Sequence, residues 1–373
     1  MKILFLEPHE GTFYLFHKEL AQKLITLGHE VCVSAPDGDF TQNIKDLGCV
    51  KLNAPVKRRS INPLSDFKLL IYYIKLIKSL KPNIILTFTI KPCVYGGLAA
   101  QFTHTAYISD ITGLGTAIEN KGVLRFIALS LYKLGLRKAS KIFFENSRDQ
   151  KFFIANKIAA QDKTRLTSGA GVNLNKFKLE DYPDSSQNIK FLFVGRIMKD
   201  KGVNELLEAF NNLNRKNQPC GVEYKNLYLD IVGGCEENEY LLKLEQAHQA
   251  NNNIIYHGVQ HDMQKFYKAS HCVILPTYHE GMANVLQEAS ATGRPVIASN
   301  IPGCQEIFDD NITGFACEPK DSQSLAQAIN KFINLNHQER CEMGLKAREK
   351  MRREFDKEIV VDAYIDEINK FAK

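Results

Sequence analysis

No apolar run in this chain reaches the roughly 18 residues that span a bilayer as a helix. The first apolar stretch, Met1-Lys2-Ile3-Leu4-Phe5-Leu6, stops at Glu7-Pro8-His9-Glu10. It is too short for the core of a signal peptide and reads as a buried strand. The nine cysteines, an odd number, include no Cys-x-x-Cys pair. Scattered thiols of this kind fit a reducing cytoplasm and offer no zinc framework. His257 and His261 have no acid or cysteine cluster around them that would complete a metal site. No Gly-x-Gly-x-x-Gly follows the first strand, which argues against a nicotinamide-dependent oxidoreductase. Nucleic-acid modules, internal repeats and low-complexity segments are absent as well. Asp37-Gly38-Asp39 has the form of an Asp-x-Asp metal motif, but it follows a strand as a turn would.

What is present is a soluble-protein composition, 44% hydrophobic and 24% charged, in 373 residues, a length suited to two domains. The net charge of +6 is modest, and location matters more than the total. Lys57-Arg58-Arg59 forms one basic loop. A second group, Lys121, Arg125, Lys133, Arg137, Lys138 and Lys141, is interleaved with Leu124, Phe126, Ile127, Leu129, Leu131, Tyr132 and Leu134. A helix over 122–138 is therefore amphipathic with basic flanks. It can lie on an anionic membrane surface or serve as a core helix with a solvated side.

Short apolar runs alternate with helical patterns along most of the chain. Strands are expected at 3–6, 31–34, 50–52, 84–87, 106–109 and 142–145, with helices at 14–27, 64–80 and 122–138 between them. The alternation breaks at Leu179–Asn188, a polar stretch read as an interdomain linker. It restarts with strands at 189–194, 227–232, 254–256, 272–275 and 295–299, and a helix at 204–213. This is the grammar of open parallel sheets covered by helices on both faces. The expected division is an N-terminal domain over 1–183 and a C-terminal domain over 184–354. A last helix is expected over 355–373.

Chemistry concentrates in Glu280-Gly281-Met282-Ala283-Asn284-Val285-Leu286-Gln287-Glu288. The strand Cys272-Val273-Ile274-Leu275 precedes it, and Gly293-Arg294-Pro295 and the next apolar run follow. One acid sits on a strand-to-helix loop and the other inside the helix. Backbone N–H groups from Gly281 to Asn284 are expected to point out of the helix start. A second segment, Gly195-Arg196-Ile197-Met198-Lys199-Asp200-Lys201-Gly202, also follows a strand and combines a planar fork with a mobile point charge.

Together these segments resemble the Glu-x7-Glu and Gly-Arg…Lys-Gly signatures of the retaining glycosyltransferases of family 4. The resemblance is strong over about residues 189–320. It implies an α/β fold of the GT-B type, two Rossmann-like domains facing a cleft, and a metal-independent transfer that needs no cofactor. Arg196 and Lys201 would hold the donor diphosphate, where negative charge gathers as the glycosidic bond breaks. Glu280 would bind the transferred sugar or stabilise the cationic transition state, and Glu288 would take the ribose hydroxyls. Gly281, Met282, Ala283, Asn284 and Val285 would line the donor, and Val259 would read the base with its backbone.

Pro302-Gly303-Cys304-Gln305-Glu306 resembles the family's following turn, with Glu306 in a structural role. In the first domain Gly11 is the candidate for a loop closing on the donor phosphate, although the family's Gly-Gly is missing. Asp110 and Gly113, at the end of the strand over 106–109, are expected to line the cleft. The stretch Phe88-Thr89-Ile90-Lys91-Pro92 lacks the His that some relatives carry there. The acceptor-side group is thus left open between Lys91 and Asp110.

Asn62-Pro63, Thr112-Gly113-Leu114-Gly115 and Ser168-Gly169-Ala170-Gly171-Val172-Asn173 resemble the branch that extends undecaprenyl-diphosphate-linked sugars, including N-acetylgalactosaminyltransferases and capsule or lipopolysaccharide transferases. The implied partners are a UDP-sugar donor, a lipid-linked saccharide acceptor and the inner face of the cytoplasmic membrane, with no nucleic acid. A transferase on a soluble acceptor and a catalytically silent GT-B subunit are the alternatives.

Overall fold

The computed structural model describes residues 1–56, 62–114, 118, 122–184, 188–215 and 226–372. The basic loop Lys57-Arg58-Arg59, Lys121, and Gly115 in the Thr112–Gly115 segment lie outside the described residues. The chain divides into two compact units, one of residues 1–171 and 357–373, the other of residues 172–356.

The first unit is built on a seven-stranded parallel sheet. Its strands are β1 (Lys2–Leu6), β2 (Glu30–Ala35), β3 (Val50–Asn53), β4 (Ile84–Phe88), β5 (Ala106–Ile111), β6 (Lys141–Phe144) and β7 (Thr164–Leu166), in the order β3-β2-β1-β4-β5-β6-β7. The period of two along β1 sorts its side chains between two cores. Leu4 and Leu6 join Leu69, Tyr73 and Ile77 of the helix Pro63–Leu80 and Tyr132 and Leu136 of the helix Val123–Leu136. Ile3 and Phe5 join Leu20 and Leu24 of the helix Lys18–Thr26 on the other face.

That second core is completed by the chain's last helix, Lys357–Asn369, through Val360, Val361, Tyr364 and Ile368. Polar ties fix its register. The Tyr364 hydroxyl donates to Asp110 Oδ2 (2.6 Å), Lys357 Nζ to the Phe16 carbonyl (2.9 Å) and Arg165 to the Ala363 carbonyl (3.0 Å). The Tyr364 ring also stacks on Phe143 with centroids 4.4 Å apart.

The second unit has a six-stranded parallel sheet of β8 (Asn188–Val194), β9 (Asn226–Val232), β10 (Ile254–Tyr256), β11 (Cys272–Leu275), β12 (Val296–Ser299) and β13 (Gly314–Cys317). Its order is β10-β9-β8-β11-β12-β13. The division between units falls after Gly171 rather than at the expected 183/184, because Val172 and Phe177 pack into the second unit's core.

Of the segment read as a linker, Ser185, Ser186 and Gln187 lie outside the described residues, and the part before them is strapped to that unit. Arg294, fully buried, donates to the carbonyls of Tyr267 (2.9 Å), Asp181 (2.8 Å) and Glu180 (3.2 Å). The Tyr182 hydroxyl donates to the His271 carbonyl (2.7 Å). Among the described residues this buried guanidinium is bonded to no carboxylate, and carbonyl oxygens occupy its rigid fork.

His271 pins the same seam. Its Nδ1 accepts the Lys190 N–H (3.0 Å), and its Nε2 faces the Asp184 carbonyl at 3.3 Å. Burial pushes its pKa down from 6.5 to about 4, helped by the charges of Arg340 and Arg294. The unfolded chain therefore binds this proton more readily than the folded one. The folded state keeps its full stability above about pH 6.5 and loses it as pH falls toward 4. At pH 5 the loss from this group is about 2 kcal/mol. Chemical denaturation of the wild type and of His271→Gln at pH 7.5 and pH 5 checks this, with the variant expected to show the smaller change by that amount.

Candidate active site

In both sheets the strand order reverses once, between β1 and β4 in the first unit and between β8 and β11 in the second. In open parallel sheets this switch point leaves a crevice at the carboxyl ends of the strands, where ligands bind. The two segments singled out from the second half of the sequence follow β8 and β11, so both lie at the second unit's switch point.

The loop after β8 is anchored on its neighbour. Gly195 N–H donates to the Val232 carbonyl (3.0 Å) and Ile197 N–H to the Gly234 carbonyl (2.8 Å). Arg196 lies between these two anchored residues with its side chain exposed. A single turn, Lys199–Lys201, then carries the chain to Gly202 and the helix Val203–Arg215. Gly202 has φ +70°, and a Cβ there would lie 2.0 Å from the Pro276 carbonyl oxygen. Only glycine permits that approach. Next to it the Asp200 carbonyl accepts the Tyr278 N–H (2.8 Å) and the Thr277 hydroxyl (3.2 Å).

The result is that the turn after β8 and the loop after β11 touch backbone to backbone. Lys201 and Glu280 meet directly as an ion pair, with side chains 17% and 14% exposed. One carboxylate uses one of the three donors of the ammonium and leaves capacity for an anionic ligand.

The far side of the Glu280 loop is held by Gly303, at φ +87°, where a Cβ would come within 2.6 Å of the Glu280 and Gly281 carbonyl oxygens. Glu306 Oε2 accepts the Gly303 N–H (2.7 Å), which is the structural role expected of it. The Gly303 carbonyl in turn accepts the Ala283 N–H (2.8 Å), and the Asn284 N–H donates to the Met282 carbonyl (3.0 Å). These two groups are engaged within the loop and do not point outward, a correction to the expected row of free donors from Gly281 to Asn284. Met282 and Ala283 are buried, while Gly281, Asn284 and Val285 are half-buried.

Glu288 lies in the helix Asn284–Ala291 and accepts the Tyr267 hydroxyl (2.7 Å). Tyr267 is fully buried, and burial together with the Glu288 charge holds its hydroxyl well above the usual tyrosine range. The phenol therefore stays a donor and fixes one oxygen of the carboxylate. Val259 is exposed, after Gly258 at φ +66°. Its loop is tied by the Gly233 N–H to the Gly258 carbonyl (2.9 Å) and by His257 Nε2 against Asp230 Oδ1 (2.6 Å).

The first-unit candidates fare differently. Gly11 is not in an open loop but in the first helical turn, Glu10–Thr12, where its N–H donates to the imidazole Nδ1 of His9 (3.0 Å). Asp110 is buried, one oxygen is taken by Tyr364, and burial raises its pKa. It ties the sheet to the last helix and, with His17, Lys357 and Tyr364, lines a small cavity inside the first unit. Lys91 pairs with Asp66 (2.7 Å). Gly113, at φ +125°, lies two residues past β5, before the buried Leu114.

Sequence reading passed over Tyr267, Arg294, the His257–Asp230 pair and His9. A tyrosine and an arginine in apolar company signal a buried partner only once that partner is known. The sequence weighs His257 only as a metal ligand.

Two family models match the chain, Glycosyl transferase 4-like over residues 2–146 and Glycosyl transferases group 1 over residues 176–352. The chain is 26% identical to the N,N'-diacetylbacillosaminyl-diphospho-undecaprenol alpha-1,3-N-acetylgalactosaminyltransferase of Campylobacter jejuni, over 98% of this chain and 97% of that protein. It is 28% identical to the capsular polysaccharide biosynthesis glycosyltransferase CapM of Staphylococcus aureus, over 85% of this chain and 84% of that one. Among solved structures it resembles Anabaena HepE in complex with UDP and glucose. The TM-score is 0.79, with 20% identity over 99% of each chain, a likeness of fold.

Gly202→Ala tests how the site is held together. Forcing a side chain into the left-handed region costs about 1–3 kcal/mol before the clash with Pro276 is counted. We expect a lower melting temperature and loss of ligand binding at the switch point. A fully stable variant would show that the backbone contact is dispensable.

Proposed function

The chain belongs to the glycosyltransferases and has the GT-B fold, and on that premise we propose a retaining, metal-independent sugar transfer. The donor is a UDP-sugar, carrying N-acetylgalactosamine or a related hexose. The acceptor is an undecaprenyl-diphosphate-linked saccharide in glycan, capsule or lipopolysaccharide assembly. The observation that carries this reading is the Lys201–Glu280 pair at the second unit's switch point, inside the group 1 match.

In this mechanism Lys201 turns from Glu280 to the donor diphosphate, and the exposed Arg196 adds its fork. Fixed cations stabilise the charge that gathers there as the glycosidic bond breaks. Glu280, released from the ammonium, faces the sugar. Glu288, with one oxygen set by Tyr267, takes the ribose hydroxyls. The half-buried loop from Gly281 to Val285 supplies the wall of the donor pocket, and exposed Val259 presents backbone to the base. The relatives that act on diphospho-undecaprenol sugars support the choice of acceptor, and the complexes of HepE with UDP and glucose support the choice of donor.

The surface of the first unit supports a lipid-linked acceptor. On the helix Val123–Leu136, Val123, Leu124, Phe126, Ile127 and Leu134 are exposed, beside exposed Lys133, Arg137 and Lys138. Apolar side chains reaching outward with lysines and arginine at their flank fit the headgroup layer of an anionic membrane. No helix among the described residues is long and apolar enough to cross a membrane. On the proposed reading the protein works as a peripheral enzyme on the inner face of the cytoplasmic membrane.

Transfer of radiolabel from UDP-sugars is the test. Label should pass to an undecaprenyl-diphosphate-linked acceptor, and the rate should survive added chelator. Label reaching only water-soluble acceptors would favour the soluble-substrate reading, and full loss with chelator would contradict metal-free transfer. Glu288→Ala should weaken UDP-sugar binding by about 1–3 kcal/mol, measured by calorimetry. Unchanged affinity would remove Glu288 from the donor site.

A further inference from the structure

Two buried acids of the first unit stand in one group beside the last helix. Glu7 follows β1 directly, Asp110 is in β5, and His17 precedes the helix Lys18–Thr26. All three are buried. Glu7 Oε1 meets His17 Nδ1 at 2.6 Å, and Asp110 Oδ2 accepts the Tyr364 hydroxyl at 2.6 Å. The second oxygen of each acid, Glu7 Oε2 and Asp110 Oδ1, is buried with no hydrogen-bond partner among the described residues. None of the proposed sugar chemistry uses this group.

His17, Asp110, Lys357 and Tyr364 line a cavity of about 10 Å³, enough for one water molecule. Four of its ten lining residues, Lys357, Val360, Val361 and Tyr364, come from the last helix, and all ten belong to the first unit. The helix is therefore the wall that keeps water from Asp110.

Charge in this setting does not balance. One imidazole can offset one carboxylate, and there are two. The other charges nearby are already committed. Lys357 Nζ donates to the Phe16 carbonyl (2.9 Å) and lies 4.0 Å from Glu19 Oε2. Glu145, after β6, adds a further negative charge near Tyr364. Tyr73, of the helix Pro63–Leu80, and Cys93, whose thiol donates to the Asp110 carbonyl (3.3 Å), are held neutral by burial. An ionised oxygen without a donor in a dry site is costly, so one of the two acids keeps its proton. Burial pushes both carboxyls above their ordinary range, against the pull of His17 on each, and the charge of Asp110 raises Glu7 further.

We propose that the last helix is a proton-linked latch: docked, it seals a proton into the Glu7–Asp110 pair, and it lifts more readily as rising pH removes that proton. The inference goes beyond the sugar transfer and does not rest on it. With the helix lifted, water enters the cavity and both acids ionise. The docked state thus binds more protons than the lifted one. Docking is tightest at and below about pH 4, the ordinary carboxylate range, and weakens as pH rises through the range in which the docked pair ionises.

Backbone hydrogen exchange of the full chain tests it, followed by mass spectrometry from pH 5 to pH 8 and corrected for the intrinsic exchange rate. Peptides from 357–369 report the helix, and peptides from β4 report opening of the whole unit. We expect the helix to open more often than β4. Its opening constant should rise with pH, by up to about tenfold per pH unit for one linked proton.

Two variants remove the excess acid. Asp110→Asn keeps an oxygen for the Tyr364 hydroxyl and leaves Glu7 as the one acid beside His17, and Glu7→Gln leaves Asp110 as that acid. Each should flatten the rise. An opening constant that stays level with pH in the wild type overturns the proposal, as does the wild-type slope in both variants. Equal opening of helix and β4 at every pH overturns it too, because the helix then lifts only when the whole unit unfolds. A variant that fails to fold leaves the decision to the other variant and to the wild-type slope.

Discussion

Backbone contact between the ends of β8 and β11 is the constraint on which the second unit's chemistry depends. Gly202 lets its turn press on the Pro276 carbonyl, and Gly303 lets the next loop press on the carbonyls of Glu280 and Gly281. Hydrogen bonds from Thr277, Tyr278 and Ala283 close the same seams. The Lys201–Glu280 pair follows from this geometry and does not cause it. With side chains 17% and 14% exposed, both charges are largely desolvated, so lost hydration offsets their attraction and the pair does not by itself hold two loops. On the proposed reading an incoming phosphate replaces the carboxylate as partner of the ammonium while the backbone beneath stays in place. Preorganisation of this kind is what electrostatic catalysis requires.

The first unit meets a different physical problem. Burying carboxylates is expensive, and Glu7 and Asp110 are both buried in its core region. Each has one strong partner, His17 for Glu7 and Tyr364 for Asp110, and in each case burial still pushes the pKa upward. The Asp110–Tyr364 bond joins residues far apart in the chain and gives the last helix one register against the sheet. Apolar contacts from Val360, Val361 and Ile368 favour docking of that helix but would tolerate sliding. A directional hydrogen bond in a dry setting does not.

Much of this was legible in the residues. The strands at the centres of both sheets are runs of Ile, Val, Leu and Phe, buried on both faces, and they appear within a residue or two of where periodicity places them. The strands that escaped notice are edges. β7 is three residues long and contains Arg165, and β13 is Gly-Phe-Ala-Cys, too short and too small to stand out. Lys201, Glu280 and Glu288 stand out in the sequence because local motifs carry them. Partnerships across long sequence separations were not found. The role of Arg294 depends on carbonyls more than a hundred residues away, and that of Asp110 on a tyrosine in the last helix. The sequence places Gly11 in a loop, whereas the structure sets it in a helical turn beside the His9 ring.

The central claim is that the second unit's switch point is a nucleotide-sugar site. Thermal stabilisation of the full chain by a panel of nucleotide sugars and free nucleoside diphosphates measures it directly. At a ligand concentration of 100 times Kd a specific site adds about 2.7 kcal/mol to the folded state. We expect one uridine-linked sugar to raise the melting temperature more than UDP alone, and Lys201→Ala to remove most of the shift. A protein that no member of the panel stabilises would contradict the claim and favour a catalytically silent GT-B subunit.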